Sequence, residues 1–257
     1  MFDLIVIGGD SNSYGAECVA DGDNINQKNI DLAYGKYIQD ELNITQYVNL
    51  AYPGLSNIKI FDKVSNYLNN LTVNYHKVLV VIGWSEPKRI SMNIAGTEYN
   101  MSEFIINSIA ADKWVNPDHK KMYESIKQMP FVDNFLKGVS SYIFTSEYFL
   151  YQDMLIRLSM DTFLKNKGVK YFTFPAMEEE KFSKYKSLRN TFTKNNLFTY
   201  NKGQVKDFTF ETKFNMFDMF SKYGRSTINY HLKTEAHKEL AKFIISEMKK
   251  RNIISSA

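Results

Sequence analysis

The sequence lacks most of the features that assign a function by inspection. A single cysteine, Cys18, excludes an intrachain disulfide and any cysteine-based metal cluster. The four histidines, His76, His119, His231 and His237, include no H-E-x-x-H pair, so a metal site is not expected and no cofactor is implied. No stretch approaches the roughly 18 uninterrupted apolar residues that a membrane helix needs. The N-terminus has no basic leader, and its apolar run is too short for a signal peptide. A protein that stays in the cytoplasm, away from membranes, is therefore expected. Charge of one sign is lacking as well: 32 basic and 28 acidic residues leave a net +4 with no basic block. Nucleic acid is not the partner such a balance suggests. Internal repeats and low-complexity segments are absent too.

What remains is an ordinary globular composition, 44% hydrophobic and 23% charged. At 257 residues the chain can build one large domain with a substantial core. The 15% of aromatic residues are spread widely and read as core. Residues 2–7, FDLIVI, form a short, almost wholly apolar run, which is the mark of a strand buried on both faces of a parallel sheet. The run stops at Gly8, Gly9, Asp10, Ser11, Asn12 and Ser13, which cannot continue a strand. A helix is expected to start across residues 16–19, with Cys18 as a buried thiol where that helix packs on the sheet.

Further strands are predicted at residues 46–51, 77–82 and 169–174, and helices at 31–42, 56–71, 140–165 and 234–251. Ser56 is a candidate N-cap. The β-α-β-α-β order by residue 83 argues for a doubly wound parallel sheet in a three-layer α/β/α sandwich, flavodoxin-like in its winding. The chain reads as a single domain over 1–257, with an inserted helical or irregular cap over 88–137 that shows no strong strand. A lid-like excursion is expected over 178–224.

The turn after the first strand admits three uses: a nucleophile turn carrying Ser11, a phosphate cradle, or a plain connection. A Walker loop needs G-x-x-x-x-G-K-[ST], but Ala16 and Glu17 follow Gly15; G-x-G-x-x-G is also missing, because Gly8 and Gly9 are followed by no glycine until Gly15. Three predicted strand ends bring Ser11, Gly54 and residues 83–85 to one sheet edge, and His231 precedes the last helix. A serine needs a base to become a nucleophile, and acyl transfer needs donors aimed at the developing oxyanion.

These residues resemble the SGNH (GDSL-type) hydrolase family. Residues 9–15, GDSNSYG, are similar to its nucleophile block, and residues 49–54, NLAYPG, to its second block. VLVVIG followed by Trp84, Ser85 and Glu86 falls where the third block, G-x-N-D, stands. Residues 231–237, HLKTEAH, repeat the final block with its two histidines. The blocks cover the two ends of the chain but not its middle. The resemblance implies the SGNH hydrolase fold and an esterase or acetylesterase acting on small or carbohydrate-linked acyl esters. Ser11 would be the nucleophile, His231 the general base, and Ser11, Gly54 and Ser85 the oxyanion hole.

Two positions depart from that pattern. Ser85 replaces an asparagine donor, and Ile228 stands where the acid is expected three residues before the base, with Asn229 next to it. A backbone carbonyl, or a carboxylate such as Asp218 or Glu235, is then left to orient the histidine. The alternative function is a weakened or inactive member of the family that serves as a binding or structural module. The sequence Gly-Trp-Ser-Glu-Pro-Lys-Arg over 83–89 is similar, more loosely, to that of SGNH-like proteins of tailed phages, which implies a viral source and a virion-associated or host-modifying role. Asp10, Asn12, Trp84, Glu86 and Arg89 are candidate pocket residues. Asp10 also reads as a turn stabiliser, Trp84 equally as a filler of the core edge, Arg89 as a solvated charge, and His237 as a packing residue. The oligomeric state is left open.

Overall fold

The computed structural model describes residues 2–87, 89–94, 96–102, 117–128, 146–175 and 231–255, with isolated positions between 105 and 138. Strands β1 (Leu4–Gly9), β2 (Gln46–Asn49), β3 (Val78–Trp84) and a later strand, Lys170–Pro175, form a four-stranded parallel sheet. Helices α1 (Ser11–Tyr14), α2 (Tyr34–Glu41) and α3 (Asn57–Asn69) fill the first half of the chain. After β3 come an antiparallel hairpin, β4 (Ile90–Ile94) and β5 (Thr97–Met101), then α4 (Pro117–Ile126) and α5 (Ser146–Lys167). The last sheet strand, Lys170–Pro175, is thus β6, and α6 (Thr234–Lys250) follows.

Side-chain alternation along the strands builds two cores. Ile5, Ile7, Leu79, Val81, Phe172 and Phe174 face α2 and α6, where Tyr34, Ile38, Leu240, Ile244 and Met248 complete the layer. Leu4, Val6, Val78, Val80 and Ile82 face α3 and α5, meeting Ile60, Val64, Leu68, Met160 and Leu164. Because both faces are covered, β1 and β3 are apolar throughout, as a parallel sheet requires. This is the doubly wound α/β/α sandwich that the sequence predicts. The strand order β2-β1-β3-β6 sends the chain from β1 to one side and from β3 to the other. The crevice of such a sheet opens at that switch point, outside the carboxyl ends of β1 and β3. The candidate site lies there.

Three expectations are corrected. The helix after β1 spans Ser11–Tyr14, not 16–19, because Gly15 ends it in a left-handed conformation (φ 83°). A Cβ at Gly15 would meet the Asn29 carbonyl oxygen at 2.5 Å, so the turn is closed by a residue only glycine can supply. Region 88–137 does contain strands: β4 and β5 pair from Ile90↔Met101 to Ile94↔Thr97. Met101, Ile105, Ile109, Tyr123 and Ile126 pack there as a small core of their own. Ser56 holds the N-cap position of α3 but makes no capping bond; its hydroxyl pairs with Ser91 at the base of the hairpin. Region 178–224 lies outside the described residues.

Gly9 is the tightest point of the turn. A Cβ there would sit 2.0 Å from Ser13 Oγ, 2.3 Å from Ser13 Cβ and 2.9 Å from the Gly83 carbonyl oxygen. Gly9→Ala is therefore expected to destabilise the fold by about 3 kcal/mol, the cost of forced overpacking. Urea unfolding checks this; an unchanged midpoint contradicts it.

Candidate active site

The turn at the end of β1 is held from inside. Asp10 caps α1 by accepting the Asn12 N–H on Oδ1 at 3.1 Å, as a turn-stabilising carboxylate should. Asp10 is fully buried, and burial raises its carboxyl above the usual range; the Arg89 charge, the Asn12 N–H, the His231 charge and the Ser85 hydroxyl oppose the rise. Ser11 opens α1 and is 8% exposed, and its hydroxyl is engaged in no hydrogen bond among the described residues.

The second strand end is tied to this turn. Asn49 Nδ2 donates to the Ser13 carbonyl at 3.0 Å while its Oδ1 accepts the Ala51 N–H at 2.9 Å. Tyr52 N–H donates to the Gly9 carbonyl at 3.3 Å, and the Tyr52 ring meets Tyr14 edge-on. Gly54 follows with φ 86° and nothing within 4 Å of where a Cβ would stand.

The third strand end is ordered by a buried polar network. Asn57 Oδ1 accepts the Ser85 N–H at 2.8 Å, and its Nδ2 donates to the Ser85 carbonyl at 2.9 Å and to Asp153 Oδ1 at 2.5 Å. Asp153 pairs with Arg157 at 2.8 Å, and the Arg157 guanidinium lies over the Trp84 ring. Trp84 is 2% exposed and packs in the α3/α5 core, the core-edge reading of the two the sequence offers. Ser85 is 1% exposed, with its hydroxyl beside the Asp10 carboxyl. Glu86 and Arg89 pair at 3.0 Å, so Arg89 is a paired side chain rather than a solvated one.

The final block docks onto the first. Leu232 N–H donates to Asn12 Oδ1 at 3.4 Å, so buried Asn12 ties the final block to the first. The loop after α1 clasps the same segment through consecutive contacts. Glu17 Oε2 meets His231 Nδ1 at 2.8 Å, Cys18 Sγ lies 3.7 Å from the Leu232 carbonyl oxygen, and Asp21 pairs with Lys233. Cys18 is only part-buried and lies beyond α1; desolvation still pushes its thiol up to about 12, which keeps it in the thiol form at neutral pH. The carboxylate on His231 is neither of those expected. Glu235 faces outward on α6 and pairs with Lys238, and Asp218, Ile228 and Asn229 lie outside the described residues. Glu17 is fully buried and stands 214 positions from its partner, a pairing that no local sequence signal announces.

His237 is structural, as expected. Its Nδ1 accepts the Tyr34 N–H at 3.3 Å, satisfying the start of α2, and Tyr34 Oη reaches Ser13 Oγ at 2.9 Å. Burial, with the His231 charge second, pushes its pKa from 6.5 down to about 3. The folded value lies below the unfolded one, so the unfolded chain binds the proton first. The contribution of neutral His237 is complete above about pH 6.5 and is lost as the pH falls towards 3. His237→Gln keeps an acceptor for Tyr34 and removes the titration. Relative to that variant, the wild type is expected to lose about 1.4 kcal/mol per pH unit, on the order of 2 kcal/mol by pH 5. Urea unfolding of both proteins at pH 7 and pH 5 checks this, and a pH-independent gap contradicts it.

Among the described residues, no group of three His, Cys, Asp or Glu side chains is placed to hold a metal, and no helix is long and apolar enough to cross a membrane. No protein-family model matches the chain, and no curated protein sequence matches it. Solved structures similar to it include a carbohydrate esterase, at 12% identity over 96% of this chain and 68% of that one (TM-score 0.48). TesA is similar at 12% identity over 98% of this chain and 99% of that one (TM-score 0.48). The psychrotrophic esterase EstA from Pseudoalteromonas sp. is similar at 11% identity over 98% of each chain (TM-score 0.47).

Proposed function

We propose that the chain is a serine hydrolase of the SGNH esterase type, with Ser11 as nucleophile and His231 as general base. The observation that carries this reading is the docking of the His231 segment on the Ser11 turn through Asn12, the Leu232 N–H donating to Asn12 Oδ1 at 3.4 Å. Ser11 Oγ attacks the acyl carbon of an ester and passes its proton to His231 Nε2. The N–H groups of Ser11 and Gly54 hold the oxyanion. His231 then protonates the departing alcohol as the ester C–O bond breaks. Water, deprotonated by the same nitrogen, attacks the acyl-serine, releases the carboxylic acid and restores the Ser11 hydroxyl. Small or carbohydrate-linked esters, O-acetyl groups above all, are the substrate class that the block resemblance implies.

A second reading, a slowed hydrolase acting mainly as a binding module, is favoured by one observation. The Ser85 N–H is spent on Asn57, which leaves only a buried hydroxyl where an asparagine donor would stand. Loss of one such donor costs about 10²–10³ in rate. Hydrolysis of p-nitrophenyl acetate and of acetylated xylo-oligosaccharide, each measured against Ser11→Ala, separates the two. Turnover above the variant supports the enzyme. Turnover equal to it on both substrates favours the binding module.

A further inference from the structure

His231 needs an orienting acceptor on Nδ1 if its other nitrogen is to take a proton, and the position three residues before it holds isoleucine. Glu17 offers that acceptor from the opposite end of the chain, and its surroundings show why it is fixed there. Its backbone sits in the left-handed region at φ 63°, a conformation that non-glycine residues rarely adopt and that marks constrained sites. The Glu17 N–H donates to the Asp23 carbonyl at 3.1 Å, and Oε1 accepts the Gly22 N–H at 2.7 Å. Asn29 braces the same loop, with Oδ1 accepting the Val19 N–H at 2.9 Å and Nδ2 donating to the Asp23 carbonyl at 2.7 Å. The loop thus presents one carboxylate oxygen to its own backbone and the other, at 2.8 Å, to His231 Nδ1.

We propose that Glu17 is the positioning residue of this site. Its Oε2 accepts the Nδ1–H of His231 and so leaves Nε2 unprotonated for the Ser11 hydroxyl. The inference rests on Ser11 being the nucleophile, and it moves the acid from the last loop of the chain to the loop that follows the nucleophile. Glu17 touches no reacting atom. Its effect is on the tautomer and orientation of the base.

Glu17→Gln tests this with little change of shape. The amide oxygen can still serve the Gly22 N–H while the NH₂ group faces Nδ1, which turns that nitrogen into an acceptor and puts the ring proton on Nε2, where it blocks the base. The comparable exchange in the serine-protease triad costs about 10⁴ in rate. The rate of Ser11 labelling by a fluorophosphonate is expected to fall by about 10²–10⁴ in Glu17→Gln. In Glu17→Asp, which keeps a carboxylate, it should recover at least about tenfold over Glu17→Gln. ¹⁵N NMR of the imidazoles, with the His231 signal assigned from a His231→Gln sample, supplies a readout independent of catalysis. The wild type should show His231 protonated on Nδ1 when neutral, and Glu17→Gln should show it protonated on Nε2. Labelling of Glu17→Gln within threefold of wild type, or a neutral wild-type His231 protonated on Nε2, overturns the role of Glu17 while leaving Ser11 as nucleophile. Absence of labelling in the wild type overturns the nucleophile instead, and the wild-type tautomer then still decides whether Glu17 positions the ring. Should Glu17→Gln not fold, the wild-type spectrum and Glu17→Asp decide it.

Discussion

Ser11→Ala is expected to abolish ester hydrolysis, a loss of about 10³–10⁶ in kcat, while leaving the fold intact. Removing the nucleophile of a serine hydrolase removes the covalent route, and only the donors of the oxyanion hole still act on bound substrate. The structure explains why stability should not follow. The cap of α1 is Asp10 rather than Ser11, and the Ser11 hydroxyl holds no bond among the described residues that alanine would break. Alanine also favours the helical backbone at that position. An unfolding midpoint within about 0.5 kcal/mol of wild type is the companion result. A variant that keeps its activity would assign hydrolysis to another group.

His231→Ala should behave differently, because His231 has a buried partner. A rate loss of about 10³–10⁵ is expected from removal of the base. The deletion also takes one hydrogen bond from the Glu17 carboxylate, which is fully buried. A stability loss of about 1–3 kcal/mol follows from that desolvated acceptor. Steady-state hydrolysis and urea unfolding of the same preparation give both numbers. Loss of rate with an unchanged unfolding midpoint would contradict the coupling between His231 and Glu17.

The contrast between these variants also marks where the sequence was readable. β1 and β3 were legible because a strand covered on both faces needs an uninterrupted apolar run, and Leu4 to Ile7 and Val78 to Ile82 are such runs. The ends of those runs fixed the edge on which Ser11, Gly54 and Ser85 gather. The β4–β5 hairpin was overlooked although Ile90, Met92 and Ile94 alternate with Ser91 and Asn93, the period of a half-buried strand, and Gly96 turns the chain with φ 83°. Helix α1 was misplaced because the small and polar residues after β1 read as a turn, whereas Ser11–Tyr14 is the helix and Gly15 its cap. Glu17 was beyond reach for another reason. An acid sought beside His231 in sequence lies beside it only in space, and periodicity carries no information on contacts between opposite ends of a chain. Trp84 was equally indeterminate, since its place in the core depends on packing against α3 and α5, which are distant in sequence.

The most direct test of the account is covalent. Wild-type protein is treated with a fluorophosphonate and digested, and the adduct is located by mass spectrometry, with Ser11→Ala and His231→Ala treated in parallel. A single adduct on Ser11, near one per chain and strongly slowed without His231, is the predicted result. Folded wild-type protein that carries no adduct, or one on another serine, contradicts it.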